Sequence, residues 1–192
     1  MAENNQFKLA KAVHELVLER GYSGTSVDSI CEKAGVSKGS FFHHFKSKED
    51  AACFALDAWM SAMKEMALAS EYETKSTPRE RLLSYLDFLA GVMESPEAPK
   101  GCLLGSLALE VSQTHHQVQS KASNYFRFWA EGIANLIGDA LGADSLEEST
   151  SLANHLISSL EGAILLAKAT GNPPLVRSSI LHFKQYIESR LV

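Results

Sequence analysis

Residues 21–48 read GYSGTSVDSICEKAGVSKGSFFHHFKSK, and the parsing of this stretch decides the fold. Ser26 is placed as an N-cap, whose side-chain oxygen accepts from N–H groups that the first helical turn leaves unpaired. Val27, Ile30 and Ala34 then recur at i, i+3 and i+7, one face of a short helix. Gly35 follows where a positive φ is wanted to end that helix. Val36 supplies an apolar plug, and Ser37 caps a second helix carrying Lys38, Gly39, Ser40, Phe41, Phe42, His43, His44 and Phe45. Two short helices joined by so tight a turn form a helix-turn-helix, whose second helix enters the DNA major groove.

The runs Thr25-Ser26-Val27, Ala34-Gly35-Val36-Ser37-Lys38-Gly39-Ser40 and Phe42-His43-His44-Phe45-Lys46-Ser47-Lys48 stand in one register. In that register the chain resembles the TetR family of transcriptional repressors. The resemblance implies an all-α fold of about nine helices. A helix-turn-helix three-helix DNA-binding domain over residues 1–48 would be followed by a helical-bundle domain for ligand binding and dimerisation over residues 49–192. It also places Thr25 and Ser26 against phosphate, by hydroxyl or by helix N-terminal N–H groups. Lys38 is set for a phosphate or a guanine edge, and Gly39 and Ser40 lack the bulk that would hold the helix off the groove. Phe41 and Phe45 face inward. Phe42 stands where many family members carry tyrosine, so contact there is apolar, with a thymine methyl or a sugar. His43 is the stronger donor candidate of the His43–His44 pair. Ser37 opens the reading helix, and Lys48 opens the next, where its ammonium and free N–H groups can clamp a phosphate.

The 192 residues suit one such head and one larger helical body, and 45 % apolar content argues against disorder. The net charge of −5 is unevenly spread: residues 1–50 balance seven Lys/Arg against seven Asp/Glu, and the remainder carries the excess. From Ser37 to Lys48 there are three lysines and two histidines and no acid. A small basic face on an acidic body binds random DNA weakly and needs both halves of a dimer. No apolar run approaches membrane-span length and the N-terminal stretch is amphipathic, so the expectation is a cytoplasmic protein with no membrane partner. Cys31, Cys53 and Cys102 are widely spaced and odd in number, which implies no disulfide framework.

Along the rest of the chain, Asn4 or Asn5 caps a first helix ending near Arg20-Gly21. Ser47 caps a fourth helix running to about Ala69, the mechanical link between head and body. Trp59, Met60, Met63 and Met66 on it are candidates for an apolar ligand cavity, as are Phe88, Cys102, Phe126 and Trp129. Ordinary core is the other reading of each. Residues 71–78 (EYETKSTP) form a polar connection, and Thr77-Pro78-Arg79-Glu80 opens a fifth helix with proline at its first position. Residues 94–99 (ESPEAP) are a loop. Gly101-Cys102 before a Leu/Gly/Ala-rich run resembles the sixth-helix opening of a TetR-like subgroup, some members of which use a cysteine there to sense reactive species. A thiol at a helix N-terminus beside Lys100 gains thiolate character, while Gly101, Gly105 and Ser106 equally suit a cysteine packed into a tight helix crossing.

His115 and His116 point about 100° apart on a helix and lack a spaced partner, so no metal is expected, and no cofactor is implied. Ser145-Leu146-Glu147-Glu148 caps an eighth helix and Asn172-Pro173-Pro174 turns into a ninth. Leu152, Leu156, Ser159 and Ala163 stripe the eighth, and Val176, Ile180, Phe183 and Ile187 the ninth. An intramolecular hairpin would bury such stripes. The resemblance implies instead that both helices pair with a second copy as a four-helix bundle.

The function so implied is a repressor that binds a pseudo-palindromic double-stranded operator as a homodimer. A small apolar or electrophilic effector entering a cavity among the fourth to eighth helices would shift the fourth helix and release the DNA. A constitutive DNA-binding protein without effector is the alternative. An enzyme would need convergent catalytic groups, and residues 50–192 hold no Ser/His/Asp, paired-carboxylate or metal-spaced set.

Overall fold

The computed structural model describes residues 4–92, 101–111, 113–142 and 146–191. Among these lie nine α-helices and no strand: α1 (Asn5–Arg20), α2 (Val27–Ala34), α3 (Lys38–His44), α4 (Lys48–Ala69), α5 (Pro78–Val92), α6 (Leu103–Val111), α7 (His116–Leu141), α8 (Leu146–Thr170) and α9 (Pro174–Arg190). The all-α architecture with an N-terminal helix-turn-helix is as the sequence implies. The loop expected over residues 94–99, Lys100 and the Ser145 cap lie outside the described residues.

The helices start where the sequence places polar caps. The Asn4 side chain accepts from the Gln6 N–H at the head of α1. At α4 the Asp50 N–H donates to Ser47 Oγ (3.1 Å), and the Asp50 carboxylate accepts from the Lys46 N–H (3.0 Å). Thr77 and Glu80 exchange reciprocally at α5, at 3.0 and 3.2 Å, with Pro78 at a position where no N–H is required. The polar connection before α5 contains a 3-10 turn at Tyr72–Thr74 that the sequence reading leaves as loop.

The chain forms two compact units. The first comprises residues 1–63 and 102–126, so α1–α3 share a unit with the first part of α4, all of α6 and the start of α7. This grouping differs from a division at residue 48. In it α1 packs on α2, α3 and α6. Leu9, Ile30, Phe41, Leu56, Leu103, Leu104 and Leu107 are fully buried, each contributing on the order of 1.5–3 kcal/mol of apolar burial.

The second unit comprises residues 64–101 and 127–192. Here α9 packs on α8 and on α5. Lys184 Nζ meets Asp87 Oδ1 at 2.6 Å, and Arg190 Nη2 meets Glu148 Oε1 at 2.7 Å. This packing corrects the interface expected on α8 and α9. Leu156, Ala163, Val176, Ile180, Phe183 and Ile187 are all less than a tenth exposed within the single chain, because α8, α9 and α5 bury those stripes against one another. Leu152 and Ser159 are half-buried at the edge of the hairpin, and the Ser159 carbonyl accepts from Ser179 Oγ at 3.3 Å. The faces left to solvent are the opposite ones: Ser158, Gly162, Leu165 (61 % exposed), Leu166 (56 %) and Ala169 on α8, and His182 and Tyr186 on α9.

Candidate nucleic-acid interface

The reading pair is fixed by its caps. Ser26 Oγ accepts from the Ser29 N–H (3.1 Å) while the Ser26 N–H donates to Ser29 Oγ (3.0 Å), a reciprocal box at the start of α2. Gly35 ends that helix at φ +66°, and its N–H donates to the Glu32 carbonyl at 3.1 Å. An L side chain rarely adopts that backbone, which is why the turn takes glycine. Ser37 Oγ then accepts from the Ser40 N–H at 3.1 Å to start α3.

Within α3 the core side is anchored by Phe41, with no exposure, and by Phe45 just beyond its end. Anchoring Phe41 inward turns the opposite side outward. Ser37, Lys38, Gly39, Phe42 and His43 are exposed there, Phe42 to 53 %. Ser40 is half-buried and its Oγ accepts from Asn5 Nδ2 at 3.2 Å, which ties the start of α1 to the reading helix. His44 is half-buried and leans on the Phe45 ring. A Cβ added at Gly39 would meet only Ser37 Oγ, at 3.7 Å, so nothing within the protein requires glycine at that position.

Two expected contacts are corrected. Thr25 is 1 % exposed and its Oγ1 donates to the Gly21 carbonyl at 2.7 Å, so its hydroxyl braces the α1–α2 turn and does not reach outward. Lys48 is likewise turned inward. Its Nζ donates to the carbonyls of Tyr22 and Thr25, both at 2.9 Å, and lies 4.0 Å from the centre of the Tyr22 ring. Burial holds the Lys48 pKa below the ordinary lysine value, partly offset by the charge of Glu110. Lys38 Nζ is paired with Asp28 Oδ1 at 2.7 Å. Of the three lysines in the acid-free stretch, Lys46 alone is exposed with no ion pair among the described residues.

Glu110 joins the site from outside the helix-turn-helix. From α6 its carboxylate accepts the Tyr22 N–H at 2.5 Å and the Ser23 N–H at 2.7 Å, and the bare face of Gly21 gives it room: a Cβ there would lie 2.9 Å from Oε2. The His115 ring meets Tyr22 edge-on at 4.9 Å. Burial opposes ionisation of Glu110, but the Ser23 and Tyr22 donors and the Lys48 ammonium outweigh it and hold its pKa below the ordinary carboxylate value. Eighty-seven residues separate Glu110 from Ser23, and a lone glutamate on an apolar helix carries no local signal of such a partner.

The residues expected around an effector fall in both units. Trp59, Met60, Met63 and Phe126 in the first are half-buried, and Cys102 is 8 % exposed. Nearby, the Asp57 carboxylate takes Lys121 Nζ at 2.6 Å and the Tyr125 hydroxyl, tying α4 to α7. In the second, Met66 is 46 % exposed and Phe88 and Trp129 are half-buried. Trp129 Nε1 donates to Tyr85 Oη at 2.8 Å, and the Tyr85 ring packs on Tyr72 (5.1 Å) and Phe88 (6.1 Å). Tyr72 and Tyr85 complete an aromatic cluster with Phe88 and Trp129. Burial pushes the Tyr85 phenol well above the ordinary tyrosine range, against the lowering effect of the Trp129 bond. Two surface clefts, of about 590 and 610 Å³, are lined by residues of α8 and of α7 and include none of the eight expected residues.

All three cysteines are buried, and burial raises the thiol pKa of Cys31 and Cys53. Among the described residues no group of His, Cys, Asp and Glu is arranged to hold a metal ion, and no helix is long and apolar enough to cross a membrane.

Comparison with known proteins matches residues 9–50 to the profile of bacterial regulatory proteins of the tetR family, and residues 78–183 to the tetracyclin repressor-like C-terminal domain. The chain is 32 % identical to the HTH-type transcriptional repressor DhaR of Mycobacterium sp. (strain GP1) over 161 residues, 82 % of this chain and 79 % of that one. It is 26 % identical to the transcriptional regulator AcuR of Cereibacter sphaeroides, covering 95 % of this chain and 84 % of that protein. Among solved structures, regulatory protein TetR from Rhodobacter sphaeroides superposes with a TM-score of 0.80 at 26 % identity, over 93 % of this chain and 96 % of the other.

Proposed function

The chain belongs to the tetR family of bacterial regulatory proteins, DNA-binding transcriptional regulators and not enzymes, and from that premise we propose that it is a homodimeric repressor released from its operator by a small molecule. The observation that carries the DNA contact is the outward side of α3. Ser37, Lys38, Gly39, Phe42 and His43 stand exposed together on a helix held by Phe41, and Gly39 leaves a gap that the fold does not need. An exposed phenylalanine flanked by a lysine and a histidine suits a groove wall of thymine methyls, guanine edges and phosphates. The N–H groups at the starts of α2 and α4 add phosphate contacts that need no side-chain charge.

Two heads are needed because one carries so little positive charge. In support of pairing, Leu165 and Leu166 stand exposed on α8 along with Ser158, Gly162 and Ala169, whose small size permits close helix approach, and Tyr186 is exposed on α9. We assign dimer contact to this outward face of α8 and α9. We place the effector in the second unit, against Tyr85, Phe88 and Trp129. Those side chains favour a flat apolar molecule. Helix α4 holds residues of both units and only three residues separate its start from the end of α3, so displacement of α4 is passed along the chain to the reading head. An effector releases DNA only to the extent that it binds the non-reading arrangement more tightly.

A mobility-shift titration against the duplex upstream of the protein's own gene, paired with sedimentation analysis, tests the proposal. Binding as two subunits per site, lost on adding an aromatic effector and weakened by Leu166→Glu through loss of the dimer, is expected. Operator binding by a monomer overturns the dimer. A dimer whose operator complex no small molecule or electrophile disturbs overturns the switch, and with it any sensing role for Cys102.

A further inference from the structure

We propose that Asp28 is a specificity-determining residue, which acts by holding the Lys38 ammonium back from DNA phosphates. The inference rests on the placement of α3 at the DNA. Asp28 lies in the first turn of α2 and Lys38 is the first residue of α3. The turn between them brings Asp28 Oδ1 and Lys38 Nζ to 2.7 Å. The two side chains are 74 % and 58 % exposed, so the pair stands in water on the reading face and no packing locks it. Such a pair is weak and screened, and a strong competitor breaks it.

The consequence follows from how little other charge the face has. Lys48 is committed to the Tyr22 and Thr25 carbonyls, and Lys46 is exposed. With Lys38 neutralised, half of the outward lysine charge of residues 37–48 is silent in the unbound protein. Affinity for random DNA comes from counterions released as cations meet phosphates, and a lysine already carrying a carboxylate releases few. At an operator, base-edge and methyl contacts hold α3 deep in the groove, and the flexible Lys38 stem can then exchange Asp28 for a phosphate or a guanine edge. Asp28 therefore weakens random binding more than operator binding.

The experiment uses the full-length protein, an operator selected by it from a randomised duplex pool, and a scrambled duplex of the same composition. Binding is followed by fluorescence anisotropy between about 50 and 200 mM salt. For Asp28→Asn, affinity for the scrambled duplex should rise about two- to fivefold per reading head. The log–log salt slope on that duplex should steepen by about 0.9 per head, and the operator-to-scrambled ratio should fall. In a Lys38→Gln background the same substitution should change neither quantity. Asp28→Ser, with thermal unfolding recorded for every variant, should repeat the result and separates charge from folding. Equal gains on both duplexes, an unchanged slope, or an Asp28→Asn effect that persists without Lys38 overturns the proposal. A Lys38→Gln protein that binds both duplexes like the wild type instead overturns the placement of α3 at the DNA.

Discussion

Replacing Glu110 with alanine should loosen the reading head from a position outside it. Two backbone donors lose their acceptor, Tyr22 N–H at 2.5 Å and Ser23 N–H at 2.7 Å. Two fully buried charge-assisted bonds would contribute about 3–6 kcal/mol. Ser23 is exposed, so water replaces its acceptor and that bond counts for little. Tyr22 is 3 % exposed, but Glu110 itself is exposed, so solvent screens the bond and it counts in part. The expected cost is therefore about 1–2 kcal/mol, or roughly a five- to thirtyfold rise in local opening. Amide hydrogen exchange reads this directly, with Tyr22 deprotected by that factor and the α8–α9 amides unchanged. Operator affinity should fall with it, because the same turn sets the start of α2. Glu110→Gln keeps one carbonyl acceptor and should lose about half as much. The Glu110 pKa is depressed in the folded protein, so its contribution is complete above the unfolded carboxylate value and is lost only as pH falls through the lower folded value. The wild-type advantage over Glu110→Gln should be full at neutrality, shrink as pH falls below the ordinary carboxylate value, and be gone below the lower folded value. Tyr22 protection that is indifferent to Glu110→Ala refutes the reasoning.

Lys48→Met should lower operator affinity and leave the salt slope unchanged, since its ammonium serves the Tyr22 and Thr25 carbonyls; a phosphate clamp would instead cost about 0.9 of slope per head. Gly39→Leu should unfold no earlier than the wild type, gaining up to about 1 kcal/mol of helix propensity, while operator affinity in anisotropy titrations drops at least about tenfold by steric exclusion from the groove. Phe183→Ala should cost about 3–5 kcal/mol in denaturant unfolding, because Phe183 fills the α8–α9–α5 core and is 5 % exposed in the single chain; a loss under about 1 kcal/mol would return it to a dimer surface.

Local signals settled a good deal before any coordinate. The Ser26 and Ser37 caps, the left-handed Gly35, the Thr77-Pro78 start of α5 and the inward Phe41 and Phe45 all depend on neighbours a few residues away. Cap chemistry and helical period report such neighbours faithfully. A periodic apolar stripe, however, states that a face is buried and not what covers it. The stripes on α8 and α9 are equally regular whether the partner is another subunit or the chain's own α5. Only tertiary packing chose the latter and left Leu165, Leu166 and Tyr186 outside.

Charge behaves the same way. Sequence determined that residues 37–48 hold three lysines and no acid, a small basic face. It did not determine where each ammonium points, because a lysine stem reaches far enough to choose among partners from other helices. Asp28 takes Lys38, and the Tyr22 and Thr25 carbonyls take Lys48. Glu110 comes to the same turn from 87 residues beyond Ser23. Sequence identified the reading helix; the long-range contacts that only the folded chain creates decided which of its side chains are left to read.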